Sequence, residues 1–234
     1  MTIHYGYVQA RVQARYAVLP DESIWLHIGA LKTLAGFLEE ARGTVLAQWV
    51  FGLTGNSSAE EIENQLQQQF LGTIIETADW FDEQWHPAVL WLSTLVQLPT
   101  LDYLIRSKKP VEDSISDPLL LELLDQKLQC TDIRQAWVDK WKAQWPNLSG
   151  QNSHNLELLL QLLQQHWSQF SSLSVNDTWQ ARSNLQVRLR LLFRRHVLQP
   201  SMAFIYLCLV VLCLERLRAE LLRRALFPEV KGAA

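Results

Sequence analysis

Hydrophobic residues recur at spacings of three and four from Ile3 to Leu226, and this spacing constrains the fold more than any other feature. It is the period of an amphipathic α-helix, whereas a half-buried strand alternates at every second residue. Glycine and proline, at nine and eight of 234 residues, are too scarce for a barrel, a sandwich or a turn-rich Rossmann unit. The sequence therefore predicts an all-α bundle of about ten helices with no sheet.

Helix boundaries in the first half of the chain follow from proline, glycine and capping residues. Pro20 ends the first helix, Gly43 is a candidate C-cap, and Pro87 fits the first turn of a later helix. Ser57-x-x-Glu60 and Ser58-x-x-Glu61 are overlapping capping boxes. Helices are predicted over residues 3–18, 21–42, 58–80, 87–98 and 99–105.

Two polar stretches divide the rest of the chain. Residues 106–118 and 146–155 are rich in turn formers and are predicted linkers. The first falls within a helical region covering 1–145, and the second precedes a C-terminal helical segment, 156–228, that packs back on it and leaves a tail at 229–234. Further helices are predicted over 119–129, 132–145, 156–170, 177–198 and 201–226.

The most apolar run, Met202–Leu214, is 13 residues long and covers about 20 Å as a helix, against about 30 Å of bilayer hydrocarbon. It is therefore predicted to be a buried core helix. Trp137, Trp141 and Trp145 recur at every fourth residue, a stripe that is predicted to face the core rather than to stack on nucleic-acid bases. The residues predicted to be mostly buried are Trp25, Trp137, Trp141, Phe204, Leu207 and Val211.

Charge is distributed unevenly along the chain. Residues 181–224 hold nine arginines against Glu215 and Glu220, whereas residues 1–180 carry a net charge of −10. Either the arginines form a face that meets an acidic partner, or they coat the surface and pair with the acidic half of the chain; the sequence leaves both open. An isoelectric point of about 6.1 is atypical of a nucleic-acid reader.

No motif of catalysis or of cofactor binding is present. Glu83-x-x-His86 occurs once, whereas a di-iron bundle needs two such motifs and further glutamates. Gly52-x-x-Gly55 lacks the Lys-Ser or Lys-Thr of a phosphate loop. Three cysteines form no CxxC pair, and together with an N-terminus that has no apolar signal core they indicate a reducing, cytoplasmic setting. We expect no enzyme activity, no cofactor and no metal.

Three short segments resemble the C/d family of V/A-type ATPase subunits, also called the AC39 family. The run Tyr5–Arg15, YGYVQARVQAR, resembles the family's opening, an aromatic residue followed by an Ala-Arg-Val-x-Ala segment. Leu95–Lys108 resembles a helix pair of the family, and Tyr206-Leu207 followed by Leu217-Arg218 matches its late helix. The late helix departs from the family at residues 210–213, where Val-Val-Leu-Cys replaces a charged cluster, and the chain is shorter than archaeal members.

The resemblance implies a peripheral, non-catalytic subunit on the cytoplasmic face of a membrane. Its partners would be the proteolipid rotor ring and the central stalk, and its role would be to pass torque between ATP hydrolysis and ion movement. The residues expected to contact partners or the membrane surface are Tyr5, Tyr7, Arg11, Arg15, Arg194, Arg195, Arg216, Arg218, Arg223 and Arg224.

Two other hypotheses fit the same composition. One is an unrelated helical adaptor or assembly chaperone that binds its partner through the arginine-rich C-terminal helices. The other is an enzyme whose site is assembled around Glu83 and His86.

Overall fold

The computed structural model of the chain describes residues 5–98, 101, 133–147, 151–170 and 177–227. These ranges contain no strand; they form eight α-helices of at least eight residues, one shorter helix and two 3₁₀ segments. The predicted helical class is confirmed, and the predicted count of about ten is slightly high for this part of the chain. The helices are α1 (Tyr5–Ala17), α2 (Glu22–Gly29), α3 (Leu34–Arg42), α4 (Ala59–Ala78), α5 (His86–Leu90), α6 (Ile133–Ala143), α7 (Gln151–Phe170), α8 (Thr178–Arg195) and α9 (Ser201–Leu226), and the 3₁₀ segments are Glu83–Trp85 and Trp91–Gln97.

Helix α9 is the centre of the molecule. Every residue from Ser201 to Val211 is buried, because α1, α3, α4, α7 and α8 all pack against this helix. A helix that is apolar on all sides is stable only when it is enclosed in this way. The predicted core role of Met202–Leu214 is therefore confirmed. Within the described ranges, no helix combines the length and the apolarity that a bilayer crossing requires.

The single helix predicted over 21–42 is wrong, because the chain breaks between α2 and α3. Thr33 caps α3 by accepting a hydrogen bond from the Gly36 amide at 3.2 Å. The break leaves the carbonyls of Gly29 and Leu31 without helical partners, and the guanidinium of Arg224 donates to both of them, at 3.1 and 2.8 Å. A residue 193 positions away thus satisfies the break.

Residues 43–58 join α3 to α4 through a series of turns. Of the two overlapping capping boxes, Ser58 and Glu61 form the one that starts α4, whereas the Ser57 hydroxyl accepts a hydrogen bond from the Thr54 amide at 2.9 Å. Gly52 adopts a left-handed conformation at φ 83°. A Cβ on Gly55 would lie 2.7 Å from the Cβ of Ala35. Turn geometry and close packing account for both glycines.

A tryptophan cluster fixes α6 against the preceding segment. The indole of Trp137 donates to the Thr94 hydroxyl at 2.7 Å, and that of Trp141 donates to the Ala88 carbonyl at 2.9 Å. The Trp141 ring also meets Phe204 of α9 edge-on, with centroids 5.4 Å apart. All six residues predicted to be buried are buried, which confirms the core assignment.

Helix α7 begins at Gln151, so the second half of the predicted linker 146–155 is helical. The reason is tertiary: Asn155 is buried and its amide donates to the side chain of Gln199. One hydrophobic cluster contains residues of the first and last helices alike, so the described residues from 156 onward pack on the N-terminal part of the chain. The predicted linker 106–118, the helices 119–129 and 99–105 (apart from Leu101) and the tail 229–234 lie outside the described residues.

Candidate interaction surface

The candidate partner-binding residues of α1 face in different directions. Tyr7 is more than half exposed, whereas Tyr5 packs against the core, and burial raises the pKa of its phenol. Arg11 and Arg15 both bind the carboxylate of Glu76 on α4, the first at 3.5 Å. These two arginines therefore hold α1 to α4, and the single Glu76 carboxylate offsets the charge of only one of them.

Two arginines of α9 are also paired within the fold. Arg216 forms a bidentate ion pair with Glu22 at 2.7 and 2.8 Å, and its guanidinium lies 4.8 Å from the ring centre of Trp25. Its hydrogen bonds lower the pKa of the Glu22 carboxyl. Arg218 binds Glu63 through its Nε at 2.7 Å. Both contacts tie the end of α9 to the acidic first half of the chain.

The sequence predicted that Arg224 contacts a partner or the membrane surface. In the structure this side chain does not project from the end of α9. It is 3% exposed, and besides the two loop carbonyls it binds the carboxylate of Glu220 at 2.5 Å. Burial alone would raise the pKa of Glu220, but the hydrogen bonds and charges of Arg224 and Arg223 outweigh it and lower that pKa. Arg223, by contrast, is exposed and contacts the same carboxylate at 3.2 Å.

The arginines at the C-terminal end of α8 differ from those of α1 and α9 in their accessibility. Arg194 and Arg195 are exposed, and no acidic residue in the described part of the chain forms an ion pair with either. Arg188 is also exposed, and it too forms no ion pair with an acidic residue in these ranges. Arg182 differs, because it pairs with Glu215 of α9 at 2.8 Å. The structure thus separates three accessible arginines of α8 from those that hold the fold together.

Apolar side chains accompany these arginines on the same exposed side. Val187 and Leu191 are four residues apart on α8 and 55% and 48% exposed. Val197 and Leu198, in the connection to α9, are 48% and 57% exposed. We call this surface the basic-apolar face; it consists of Val187, Leu191, Arg194, Arg195, Val197 and Leu198. Sequence reasoning found its two arginines and missed its apolar members.

The connection that carries Val197 and Leu198 has a fixed geometry. Leu198 adopts a left-handed backbone at φ 59°, and its amide donates to the side chain of Gln9 on α1 at 2.8 Å. A non-glycine residue pays a steric cost in this conformation. On the inner side, His196 is buried and its Nδ1 lies 3.0 Å from the Ser201 hydroxyl. The turn therefore holds an exposed leucine at the tip of the hairpin between α8 and α9.

Three other features considered in the sequence are the Glu83-x-x-His86 motif, candidate metal ligands and the cysteines. Glu83 is exposed, and His86 contacts the Phe81 carbonyl at 3.2 Å. Within the described ranges, no three His, Cys, Asp or Glu side chains come together as metal ligands. A cavity of about 180 Å³ lies between α7, α8 and α9, and Cys208 lines it. Burial raises the pKa of this thiol to about 12, so it stays protonated near neutral pH.

Comparison with known proteins adds no relative to this description. No protein-family model matches the chain, and neither a curated protein nor a solved structure does so significantly.

Proposed function

We propose that this chain is a non-catalytic rotor-socket subunit of a V/A-type ATPase. It sits peripherally on the cytoplasmic face of the membrane and links the proteolipid ring to the central stalk. In this role the protein transmits torque through a rigid helical body and carries out no chemistry of its own.

The observation that carries the proposal is the convergence of the three segments on which the family resemblance rests. Helix α1, which contains the Tyr5–Arg15 run, packs on α9, which contains the Tyr206–Arg218 run. From the third segment, Leu95 lines the same cavity as Cys208 of α9. The described parts of the three segments, which begin at Tyr5, Leu95 and Tyr206, thus belong to one packed unit, as expected if the resemblance reflects a shared architecture rather than chance.

The packing of α9 also suits a subunit that carries mechanical load. Its apolar first half is enclosed by five other helices. Its second half is tied by Arg216 to Glu22 and by Arg218 to Glu63. Interiors packed in this way have low compressibility and transmit strain.

Affinity purification from native membranes tests the proposal. The tagged chain, expressed at its own locus, is extracted with mild detergent, and the co-purified proteins are identified by mass spectrometry against an untagged strain. We expect the proteolipid and at least one central-stalk subunit to be enriched. A high-salt wash of the membranes before extraction should release the chain, since the attachment is electrostatic and peripheral.

The competing adaptor hypothesis gives a different result in the same experiment. An adaptor or assembly chaperone would co-purify with soluble client proteins and would not enrich proteolipid. That outcome, or a chain released only by detergent after salt has failed, would refute the rotor-socket proposal.

A further inference from the structure

We propose that the basic-apolar face docks on an anionic lipid surface, with its arginines at the headgroups and the Val197-Leu198 tip in the interface. This inference rests on the proposed peripheral seat of the chain at the membrane and adds which surface meets the lipid. It assigns the attachment to the α8–α9 hairpin rather than to the C-terminal end of α9.

The charge of α8 favours an anionic partner. The helix contains five arginines and no acidic residue. Arg182 is paired with Glu215, but Arg188, Arg194 and Arg195 are exposed without an ion pair in the described ranges. Basic residues near an anionic bilayer each contribute about fivefold to its binding, and salt screens this attraction over about 8–10 Å.

The apolar members of the face favour a lipid interface over a purely ionic contact. Val187 and Leu191 lie between the arginines of α8 rather than on its buried side. Leu198 is presented at a hairpin tip, where a convex surface can enter the headgroup region without needing a complementary pocket. Interfacial helices combine arginine or lysine with exposed aliphatic residues in this manner.

Of the acidic residues near α8, Glu215 is paired with Arg182, Asp21 and Glu22 lie near Arg190, and Glu76 lies beyond α1. Helix α1 lies between α8 and α4, since Tyr16 stacks on Phe193 with ring centres 4.2 Å apart while Arg15 binds Glu76. The Glu76 carboxylate is therefore neutralised on the far side of α1. Repulsion from this carboxylate does not offset the attraction of the face for anionic lipid.

Vesicle co-sedimentation with the purified full chain tests the inference. The probes are vesicles of phosphatidylcholine alone and vesicles with about a third phosphatidylglycerol, each in a series of salt concentrations. We expect binding to the anionic vesicles that weakens as salt rises, and little binding to the neutral ones. Equal binding to both kinds of vesicle, or no binding at low salt, would overturn the proposal.

Single charge reversals separate the face from the protein's overall charge. Arg194→Glu and Arg195→Glu are each expected to weaken binding at least about fivefold. Lys142→Glu is the matched control, because Lys142 is exposed on α6 and the reversal changes the net charge equally. A comparable loss with Lys142→Glu would show that net charge alone governs binding, and this would contradict the proposal.

Two further variants test the apolar contribution. Leu198→Asn removes the aliphatic side chain and suits the left-handed backbone, so the turn is retained. Leu191→Gln keeps a good helix former at an exposed site. Each should weaken vesicle binding by about fivefold with unchanged circular dichroism. Binding unchanged in both variants, or an RNA oligonucleotide bound as tightly as the vesicles, would refute a lipid interface.

This experiment and the purification from native membranes fail independently. If the chain co-purifies with ring subunits but does not bind vesicles, the lipid contact is wrong and the rotor-socket proposal stands. If the chain binds vesicles through this face but enriches no ring subunit, the lipid contact stands and the rotor-socket proposal is wrong.

Discussion

Arg224 offers a direct test of how the packing of this protein is stabilised. Its guanidinium donates to the carbonyls of Leu31 and Gly29 and to the carboxylate of Glu220, and it lies 4.3 Å from the ring centre of Phe37. Arg224→Met fills a similar volume but removes all of these hydrogen bonds. The partly buried carbonyls of Gly29 and Leu31 then lose their side-chain donor, and the Glu220 carboxylate keeps only its contact with Arg223.

The cost of this substitution follows from those groups. A hydrogen bond from a charged donor contributes about 1.5–3 kcal/mol, and Arg224 donates to two backbone carbonyls as well as to Glu220. The contributions overlap, so we expect Arg224→Met to lower the free energy of unfolding by about 3–5 kcal/mol at pH 7. Arg223→Met is the matched control, because Arg223 contacts the same carboxylate from an exposed position. Its cost should stay within about 0.5 kcal/mol.

The difference in free energy of unfolding between the native chain and Arg224→Met should depend on pH, and this dependence is a second test. In the native chain the pKa of Glu220 lies below its ordinary 4.5, so its contribution to stability is present above 4.5 and is lost as pH falls through the lowered value. In Arg224→Met the lowering that Arg224 causes is lost, so the pKa of Glu220 lies higher than in the native chain, and the variant loses less stability than the native chain as pH falls. The difference in free energy of unfolding between the two proteins should therefore be largest above pH 5 and should become smaller in acid.

Urea unfolding followed by tryptophan fluorescence, at pH 7 and near pH 4, measures both quantities. A cost for Arg224→Met below about 1 kcal/mol, or one equal to that of Arg223→Met, would refute the role assigned to this arginine. A difference in free energy of unfolding that becomes larger in acid would refute the lowered pKa assigned to Glu220.

Three further predictions concern the core and the hairpin. Gly55→Ala should destabilise the fold by about 1–3 kcal/mol, because the new Cβ would meet Ala35. Gly72→Ala should stabilise the fold by about 1 kcal/mol, because a Cβ at this position in α4 has open space around it. Equal effects of the two substitutions in urea unfolding would contradict the close approach of Gly55 to Ala35. Trp141→Ala should cost about 3–5 kcal/mol and Trp179→Ala, at a half-exposed site, far less; a melting temperature unchanged by Trp141→Ala would disprove the core assignment. Burial and the nearby Arg195 lower the pKa of His196, so stability should decline as pH falls from 6.5 toward that lowered value, and His196→Gln should reduce this slope; an unchanged slope would exclude His196 as its source.

The sequence by itself determined the helical class and the identity of the central helix. Spacings of three and four are a local property, so they predict helices without knowledge of the fold. The run Met202–Leu214 was too short to cross a bilayer and too apolar for a surface, which left the core as its only stable place. The caps at Gly43 and Ser58 were visible for the same reason, because a cap acts within one turn of chain.

Contacts between distant segments could be decided only by the tertiary structure. The sequence presented nine arginines as one group, and it could not tell which were available to a partner. Arg216 and Arg218 meet acids 194 and 155 residues away, and Arg224 closes a helix break that periodicity alone did not reveal. Arg194 and Arg195 remain accessible because no acidic side chain of the described residues packs beside the end of α8. Pairing of this kind depends on which helices become neighbours, and local spacing carries no information about that.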